Sequence, residues 1–447
     1  MQENYKISEG IKQEIIDYCL ENRLSVKAEA SDECTEFVHV PISLTPSPFE
    51  KDSYNFVKSH QVDMNKLVSN LMNNIPRVRE LLAELGEKDE FVEGLLKISK
   101  QVEEYPYKQK GVLGILRSDY MYDEETYEPK LIEFNTMSSS FGPLAWGVNQ
   151  LHQYLVTKYN LEIDLNKLKR DKNPTYLISE ALKEAYDLYF GNENEDSKRG
   201  IILVVIGENE RNMNDMGIIM DRVFEHFKIK FCYVRFDQIL KNSELNEGKL
   251  YYEGDEVAVV YFRHGYDSDH YTSENDWKAR EMIEVSQAIK CPSADLQLIN
   301  FKKIQEVLGK ESVWKEFNGT DLEEIRKLFI GMWGLTEDDE EIKEIIEHAK
   351  ANPEKFVLKT QREGGGHNYF GDQVKEQLEK EDELWKYSLM KRIFPITFPA
   401  TLMRNSIIWQ GQSVCELGIF GKLLIEFDEI NTQIQNEEIG AMMRTKP

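Results

Sequence analysis

The sequence predicts an α/β protein of mixed α+β type: an antiparallel body that starts helical, together with a small parallel α/β unit. Three observations carry this. Residues 111–121 and 129–136 are apolar runs separated by turn residues from Asp123 to Thr126, the pattern of an antiparallel strand pair. Ile201 to Ile206 is an unbroken apolar run, followed by a polar loop, a helical stretch to about Phe227 and further apolar runs at 230–236 and 256–263. That order describes a parallel strand–helix–strand unit. The first 105 or so residues show mostly helical spacing.

In chain order, Ile11, Ile15, Ile16 and Cys19 recur at helical spacing, as do Leu67, Leu71, Ile75 and Val78. Pro41, Pro46 and Pro48 make the intervening segment extended or looped. This part reads as scaffold. On the strand pair, alternate residues share a face, so Arg117 points with Asp119 and Glu133 with Asn135. A turn centred near Thr126 sets Asp119 opposite Glu133 and Arg117 opposite Asn135. Two facing carboxylates need a cation. Carboxylate and amide oxygens are hard donors that suit Mg²⁺; the alternative is a surface pair with an Arg–Glu bridge. The apolar surroundings favour the first reading, because a buried carboxylate needs a partner. Ser138 to Gly142 follow as a small polar loop.

Residues 192–198 form a charged linker and a domain boundary. In parallel sheets ligands sit beyond the carboxyl ends of strands. Glu210-Arg211-Asn212 and Arg263-His264-Gly265-Tyr266 occupy that position, which makes Arg211 and Arg263 candidates for substrate carboxylates or, alternatively, parts of solvated loops. Residues 280–305 read as a helix, then Cys291-Pro292, then a helix carrying Lys302 and Lys303. Residues 336–349 read as an acidic helix. Phe356 to Leu358 lead as a strand end into Lys359 to Gly371, where three glycines open a loop. Alternation places Lys359, Gln361 and Glu363 on one face. A lysine, a carboxylate and unobstructed backbone suit a nucleotide; a hairpin loop with a surface ion pair is the other possibility. Tyr387 to Met390 read as a strand, and Val414 to Gly421 as a strand with Glu416 embedded in it.

The 447 residues suffice for two or three domains, and 41% hydrophobic with 30% charged residues is ordinary for a soluble globular protein. A net charge of −25 argues against nonspecific nucleic-acid or membrane-surface binding, so an anionic substrate needs local Arg and Lys clusters. No window approaches the ~20 apolar residues of a membrane span, and the N-terminus lacks a signal-peptide apolar region. The five cysteines are scattered without a Cys-x-x-Cys, which reads as reduced thiols of a cytosolic chain. The eight histidines show no zinc-ligand spacing. Neither a Walker A loop nor a Rossmann glycine fingerprint occurs, so ATP binding requires another architecture.

Taken together, these residues resemble eukaryotic-type glutathione synthetase, a family of the ATP-grasp superfamily. The resemblance is carried by Leu116 to Met121, Glu133 to Thr136 with Ser138, Ser140 and Phe141-Gly142, and Glu210-Arg211-Asn212. It continues through Tyr261-Phe262-Arg263 with Gly265-Tyr266, Lys359 with Gln361 to Gly366, Glu416 to Gly421, and Arg444-Thr445-Lys446. They follow family order across nearly the whole chain. The resemblance implies an ATP-grasp fold: an antiparallel-sheet main body (1–198), a parallel α/β substrate domain (199–295) and an ATP-grasp region with a glycine-rich lid (296–447). It implies a ligase that joins γ-glutamylcysteine and glycine into glutathione, with ADP and phosphate released through an acyl phosphate.

Matched residue by residue, the family pattern implies Mg²⁺ held by Glu133, Asn135 and Glu363. ATP would meet Glu133, Lys302, Lys359, Gly364, Gly365, Gly366, Asn368 and Phe370, with Met390 to Ile393 and Glu416 on the adenine–ribose side and Lys446 beside them. The peptide would meet Arg117, Ser138, Ser140, Glu210, Asn212, Arg263, Tyr266 and Arg444. Arg117, Lys359 and Arg444 are the implied catalytic set, with Arg117 stabilising the transition-state oxyanion. A cytoplasmic homodimer is implied as well.

Three positions depart from the family pattern: Met216 replaces a usual glutamine, Phe370 a common tyrosine and Lys391 a usual glutamate. Family members continue past Pro447 through an alanine- and glycine-rich loop. The chain is therefore either part of a longer one or has an incomplete lid and weak activity. Two other functions fit the same residues: a ligase with β-alanine or serine as amine acceptor, and a catalytically silent nucleotide or peptide binder. The presence of Glu133, Asn135, Lys359 and Glu363 argues against the silent form.

Overall fold

The computed structural model describes residues 9–28, 36–191, 200–319, 321–336, 340–361, 368–427 and 433–447. The mixed α/β class holds: one sheet of twelve strands, largely antiparallel with a parallel section, is flanked by helices. Its longest strand, Ile407–Glu426, pairs antiparallel with Phe398–Arg404, with Gly111–Asp123 and with Gln433–Lys446. Gly111–Asp123 returns as Glu128–Asn135, with Arg117 opposite Asn135 and Asp119 opposite Glu133, the register expected from the sequence. Asp123 builds the turn: its carboxylate accepts the Thr126 N–H at 3.1 Å and the Thr126 hydroxyl at 2.9 Å.

The other edge of Gly111–Asp123 meets the parallel section. Ile289–Cys291, Asp255–Phe262, Ile201–Val205 and Lys230–Val234 follow in that order within the same sheet. Every residue of Ile201–Val205 is buried, as a strand covered on both faces requires. Ile202 and Val204 pack toward helices Pro174–Phe190 and Met213–Phe227, while Leu203 and Val205 pack toward helix Glu274–Val285. The same alternation sorts Gly111–Asp123. Val112, Leu116 and Tyr120 meet the N-terminal helices, and Leu113 and Ile115 meet Pro174–Phe190. Arg117 and Asp119 continue the second face beyond the end of its apolar run.

The 280–305 region differs from expectation. Helix Glu274–Val285 ends before a strand, Ile289–Cys291, and two short helices follow, Ala294–Ile299 and Lys302–Leu308. Lys290 hid the strand, because a lysine seldom sits in a buried one. Here it is fully buried and its ammonium donates to the Ser286 carbonyl at 2.8 Å. A second sheet of four strands runs in the order Met332–Gly334, Tyr387–Lys391, Phe356–Thr360, Tyr369–Phe370. Helices Glu340–Ala351 and Asp372–Leu378 cover it through Ala349, Val374 and Leu378, packed against Leu358 and Leu389. Among the described residues no helix is long and apolar enough to cross a membrane.

One buried histidine ties stability to pH. His152 lies in helix Gly142–Tyr159, with Nε2 at 2.7 Å from the Ser43 carbonyl; a carbonyl only accepts, so Nε2 carries the proton. Burial pushes its pKa from 6.5 down to about 4. The unfolded chain therefore takes up this proton near neutrality and the folded chain only near pH 4, so stability is complete above that window and falls as pH drops through it. The loss is on the order of 3 kcal/mol. His264, also pushed down to about 4, adds to the same window. His152→Gln is expected to flatten the melting-temperature profile between pH 6.5 and 4; thermal denaturation across that range checks it.

Candidate active site

The site begins where the apolar part of Gly111–Asp123 gives way to Arg117 and Asp119. Asp119 is fully buried, and three groups converge on its carboxylate. Arg117 binds it through two nitrogens, at 2.7 and 2.8 Å. Arg444 reaches it at 2.9 Å from the C-terminal strand, and the Asn135 amide at 3.0 Å from the neighbouring strand. A charge so buried is stable only with such partners. Gly418 stands opposite Asp119; a Cβ there would meet the Asp119 carboxylate at 2.8 Å and the Arg117 side chain at 2.9 Å. The cation expected between the facing carboxylates is therefore, for Asp119, a pair of guanidinium groups.

Glu133 takes a different set. Lys302 lies 3.2 Å from its carboxylate and Lys359 3.9 Å. Lys302 comes from helix Lys302–Leu308 and Lys359 from the four-stranded sheet, so three separate parts of the fold meet at one carboxylate. Burial works against its charge, but Lys302 and then Lys359, Arg444 and Arg117 outweigh it and hold the carboxyl well below the usual range. Lys359 also donates to the Ile132 carbonyl at 2.7 Å. Glu133 and Asn135 share a face, and the Asn135 Nδ2 is committed to Asp119 and to the Arg117 carbonyl. Its Oδ1, with the ionised Glu133, forms a hard-donor pair that fits Mg²⁺.

A second cluster is built on the Ser138–Phe141 loop. Ser138 and Phe141 hold φ of 51° and 73°, a left-handed conformation that costs non-glycine residues energy. Two arginines pin the loop. Arg117 donates to the Ser140 carbonyl at 3.2 Å, and Arg263 to the Ser139 carbonyl at 3.0 Å and the Ser140 hydroxyl at 2.5 Å. Asp215 completes it: its carboxylate accepts the Phe141 N–H at 2.9 Å and lies 3.6 Å from Arg263. Burial raises the Asp215 pKa and Arg263 opposes that rise. Glu210 accepts the Asn212 N–H at 2.7 Å. Arg211 turns outward to the Lys27 carbonyl at 3.0 Å, away from the Arg263 cluster. Asn212 Oδ1, Ser139 Oγ and Arg263 Nε are buried without a hydrogen-bond partner among the described residues, as atoms awaiting a polar ligand are. Tyr266 lines a neighbouring cleft with Met137, Gln297, Asn300 and Gln361.

Glu416 and Lys446 pair at 2.7 Å, and Glu416 also contacts Arg444, which stands opposite it on the C-terminal strand. Glu416 thus links Lys446 to the Asp119 cluster. Met390 and Ile393 join Met332 in an apolar group with Met121, Ile132 and Ile330, a surface suited to a flat heterocycle. Asn368 is exposed; Phe370 is exposed beneath Arg392, whose guanidinium lies 5.7 Å from the ring. Glu363, Gly364, Gly365 and Gly366 lie outside the described residues. Of the departures, Met216 is buried in the apolar core beside Ile219 and Met220, and Lys391 is exposed, its backbone N–H donating to the Gly331 carbonyl at 2.9 Å. Sequence reading missed Asp215, and it named Ser139 and Gln361 only as members of a loop and a strand face, with no partner assigned.

Comparison with known proteins places the whole chain in one family. The family profile of the eukaryotic glutathione synthase ATP-binding domain matches residues 6–447. A chloroplastic glutathione synthetase of Arabidopsis thaliana is 36% identical over 418 residues, covering 92% of this chain and 75% of that protein. The glutathione synthetase of Mus musculus is 32% identical over 457 residues, covering 100% and 94%. A solved apo structure of a glutathione synthetase-like effector from Globodera pallida superposes with a TM-score of 0.73 at 22% identity, covering 97% of this chain and 93% of the other, which supports the fold.

Proposed function

Because this chain belongs to the eukaryotic glutathione synthetase family, we propose that its charged clusters divide one ligation between a nucleotide side and a peptide side. The protein is an ATP-dependent ligase. In the reaction the cysteinyl carboxylate of γ-glutamylcysteine attacks the γ-phosphate of ATP, forming an acyl phosphate and ADP. The amine of glycine then attacks the acyl carbon, phosphate departs and the amide of glutathione remains. A carboxylate is a poor acyl donor, and phosphorylation supplies the leaving group.

Phosphoryl transfer needs positioning and charge neutralisation more than a protein nucleophile. The observation that carries this reading is the meeting of Lys302 and Lys359 at Glu133. The two lysines bind the nucleotide phosphates, with Met390 and Ile393 against the adenine and Glu416 and Lys446 beside the ribose. Glu133, Asn135 and Glu363 would hold Mg²⁺, which would supply Lewis-acid neutralisation of phosphate charge. Arg263, Glu210, Asn212, Ser138, Ser140 and Tyr266 hold the peptide. Arg117, kept rigid by Asp119 and the Ser140 carbonyl, stabilises the oxyanion, with Arg444 supporting it across Asp119. In this reading the enzyme works in the cytoplasm as a homodimer, with its three regions divided near residues 198 and 295.

ADP release by the purified protein, with ATP, γ-glutamylcysteine and glycine each omitted in turn, tests the assignment. Release is expected only when all three are present, and slower with β-alanine or serine replacing glycine. Tight ATP binding without any release would overturn the ligase reading in favour of a binding protein.

A further inference from the structure

Between the two nucleotide lysines lies a closed ring of buried polar groups. Gln361 Oε1 accepts the backbone N–H of Lys303 at 3.0 Å, and Gln361 Nε2 donates to the Ser388 hydroxyl at 3.0 Å. Ser388 donates in turn to Glu306 Oε2 at 2.8 Å, and the Lys303 ammonium returns to Glu306 Oε1 at 2.5 Å. Ser388 is fully buried, Glu306 is 1% exposed and Gln361 5%. Ser388 stands opposite Lys359 in the strand ladder, and Lys303 is the residue after Lys302. The ring thus joins the helix of one lysine to the sheet of the other. Gly334, on a third strand, makes room for it: a Cβ there would lie 2.4 Å from Glu306 Oε1 and 3.0 Å from the Lys303 ammonium. Apolar side chains of similar volume would pack this seam without the cost of burying a carboxylate. What a satisfied polar ring adds is a single defined geometry.

We propose that Gln361, Ser388, Glu306 and Lys303 are positioning residues for the nucleotide: they fix Lys302 relative to Lys359, so that the two ammonium groups meet the ATP phosphates as one set. The inference rests on the assignment of those lysines to ATP. Ser388→Ala deletes one oxygen at the centre of the ring and leaves both lysines in place. It is expected to weaken Mg·ATP binding about tenfold, the equivalent of one buried hydrogen bond. The KM for γ-glutamylcysteine at saturating ATP stays within about twofold, because the Arg117 and Arg263 clusters are untouched. Glu306→Gln, which keeps the volume and loses the ion pair with Lys303, is expected to do the same and decides the matter if Ser388→Ala does not fold.

Calorimetric titration of Mg·ATP into both variants and into Lys302→Met, with peptide KM measured alongside, separates the outcomes. ATP-selective weakening in all three supports the ring. Unchanged ATP affinity in the ring variants with loss in Lys302→Met overturns the ring alone. Equal weakening toward ATP and peptide makes the ring a general packing element and also overturns it. Unchanged affinity in Lys302→Met removes the ring together with the nucleotide assignment it rests on.

Discussion

Glu133→Gln is expected to lower kcat/KM for ATP by about a thousandfold while leaving the fold intact. The change is isosteric, so packing is preserved. It removes the negative charge that Lys302 and Lys359 share at 3.2 and 3.9 Å, and it weakens one of the three hard donors proposed for Mg²⁺. Two lysines that are each 4% exposed then keep their charges with one fewer counter-charge, so their ammonium groups separate and the phosphates lose a defined seat. Steady-state turnover as a function of Mg²⁺ concentration checks this. The variant should need far more Mg²⁺ and still not recover its rate. Near-normal turnover at the usual Mg²⁺ concentration would remove Glu133 from the site.

Arg117→Ala is the second large effect, and it falls on a different step. ATP binding should change less than about threefold, whereas kcat falls by about two to three orders of magnitude. Arg117 holds Asp119 with two nitrogens and the Ser140 carbonyl with a third, so its loss removes the proposed oxyanion donor and also loosens the Ser138–Phe141 loop. Stability drops as well. Asp119 remains fully buried with only Arg444 and Asn135 bonded to it, and depriving a buried carboxylate of its main partner costs on the order of 3 kcal/mol. Calorimetric ATP titration, single-turnover kinetics and thermal melting distinguish the parts. Loss of ATP affinity with unchanged chemistry would move Arg117 to the nucleotide side.

Much of the site was legible because it is built on strands. Period-two alternation and a short turn suffice to pair Arg117 with Asn135 and Asp119 with Glu133, and the register came out as expected. Loops beyond strand ends offered Arg263 and Arg211 for the same reason, that a parallel sheet puts its loops at one end, and of the two Arg211 turns outward to the Lys27 carbonyl. Asp215 was not legible, because nothing local marks a helical aspartate as the acceptor for a loop more than seventy residues earlier. Gln361, Ser388 and Glu306 are ordinary polar residues in sequence and become a set only when the small sheet packs on helix Lys302–Leu308.

By itself the sequence determined the mixed fold class and the hairpin register, and its motifs identified the family by resemblance. The register depends on spacing along two strands and a short turn, where covalent geometry leaves few choices. Only the tertiary structure decided which charges meet. It gave Asp119 to two arginines and Glu133 to two lysines, made Lys290 part of a buried strand and turned Arg211 outward. These pairings join residues up to 325 positions apart, and at such separations no local periodicity constrains which partner a buried charge finds. The choice is made by the packing that excludes water, since each buried charge is tolerated only where an opposite one arrives with it.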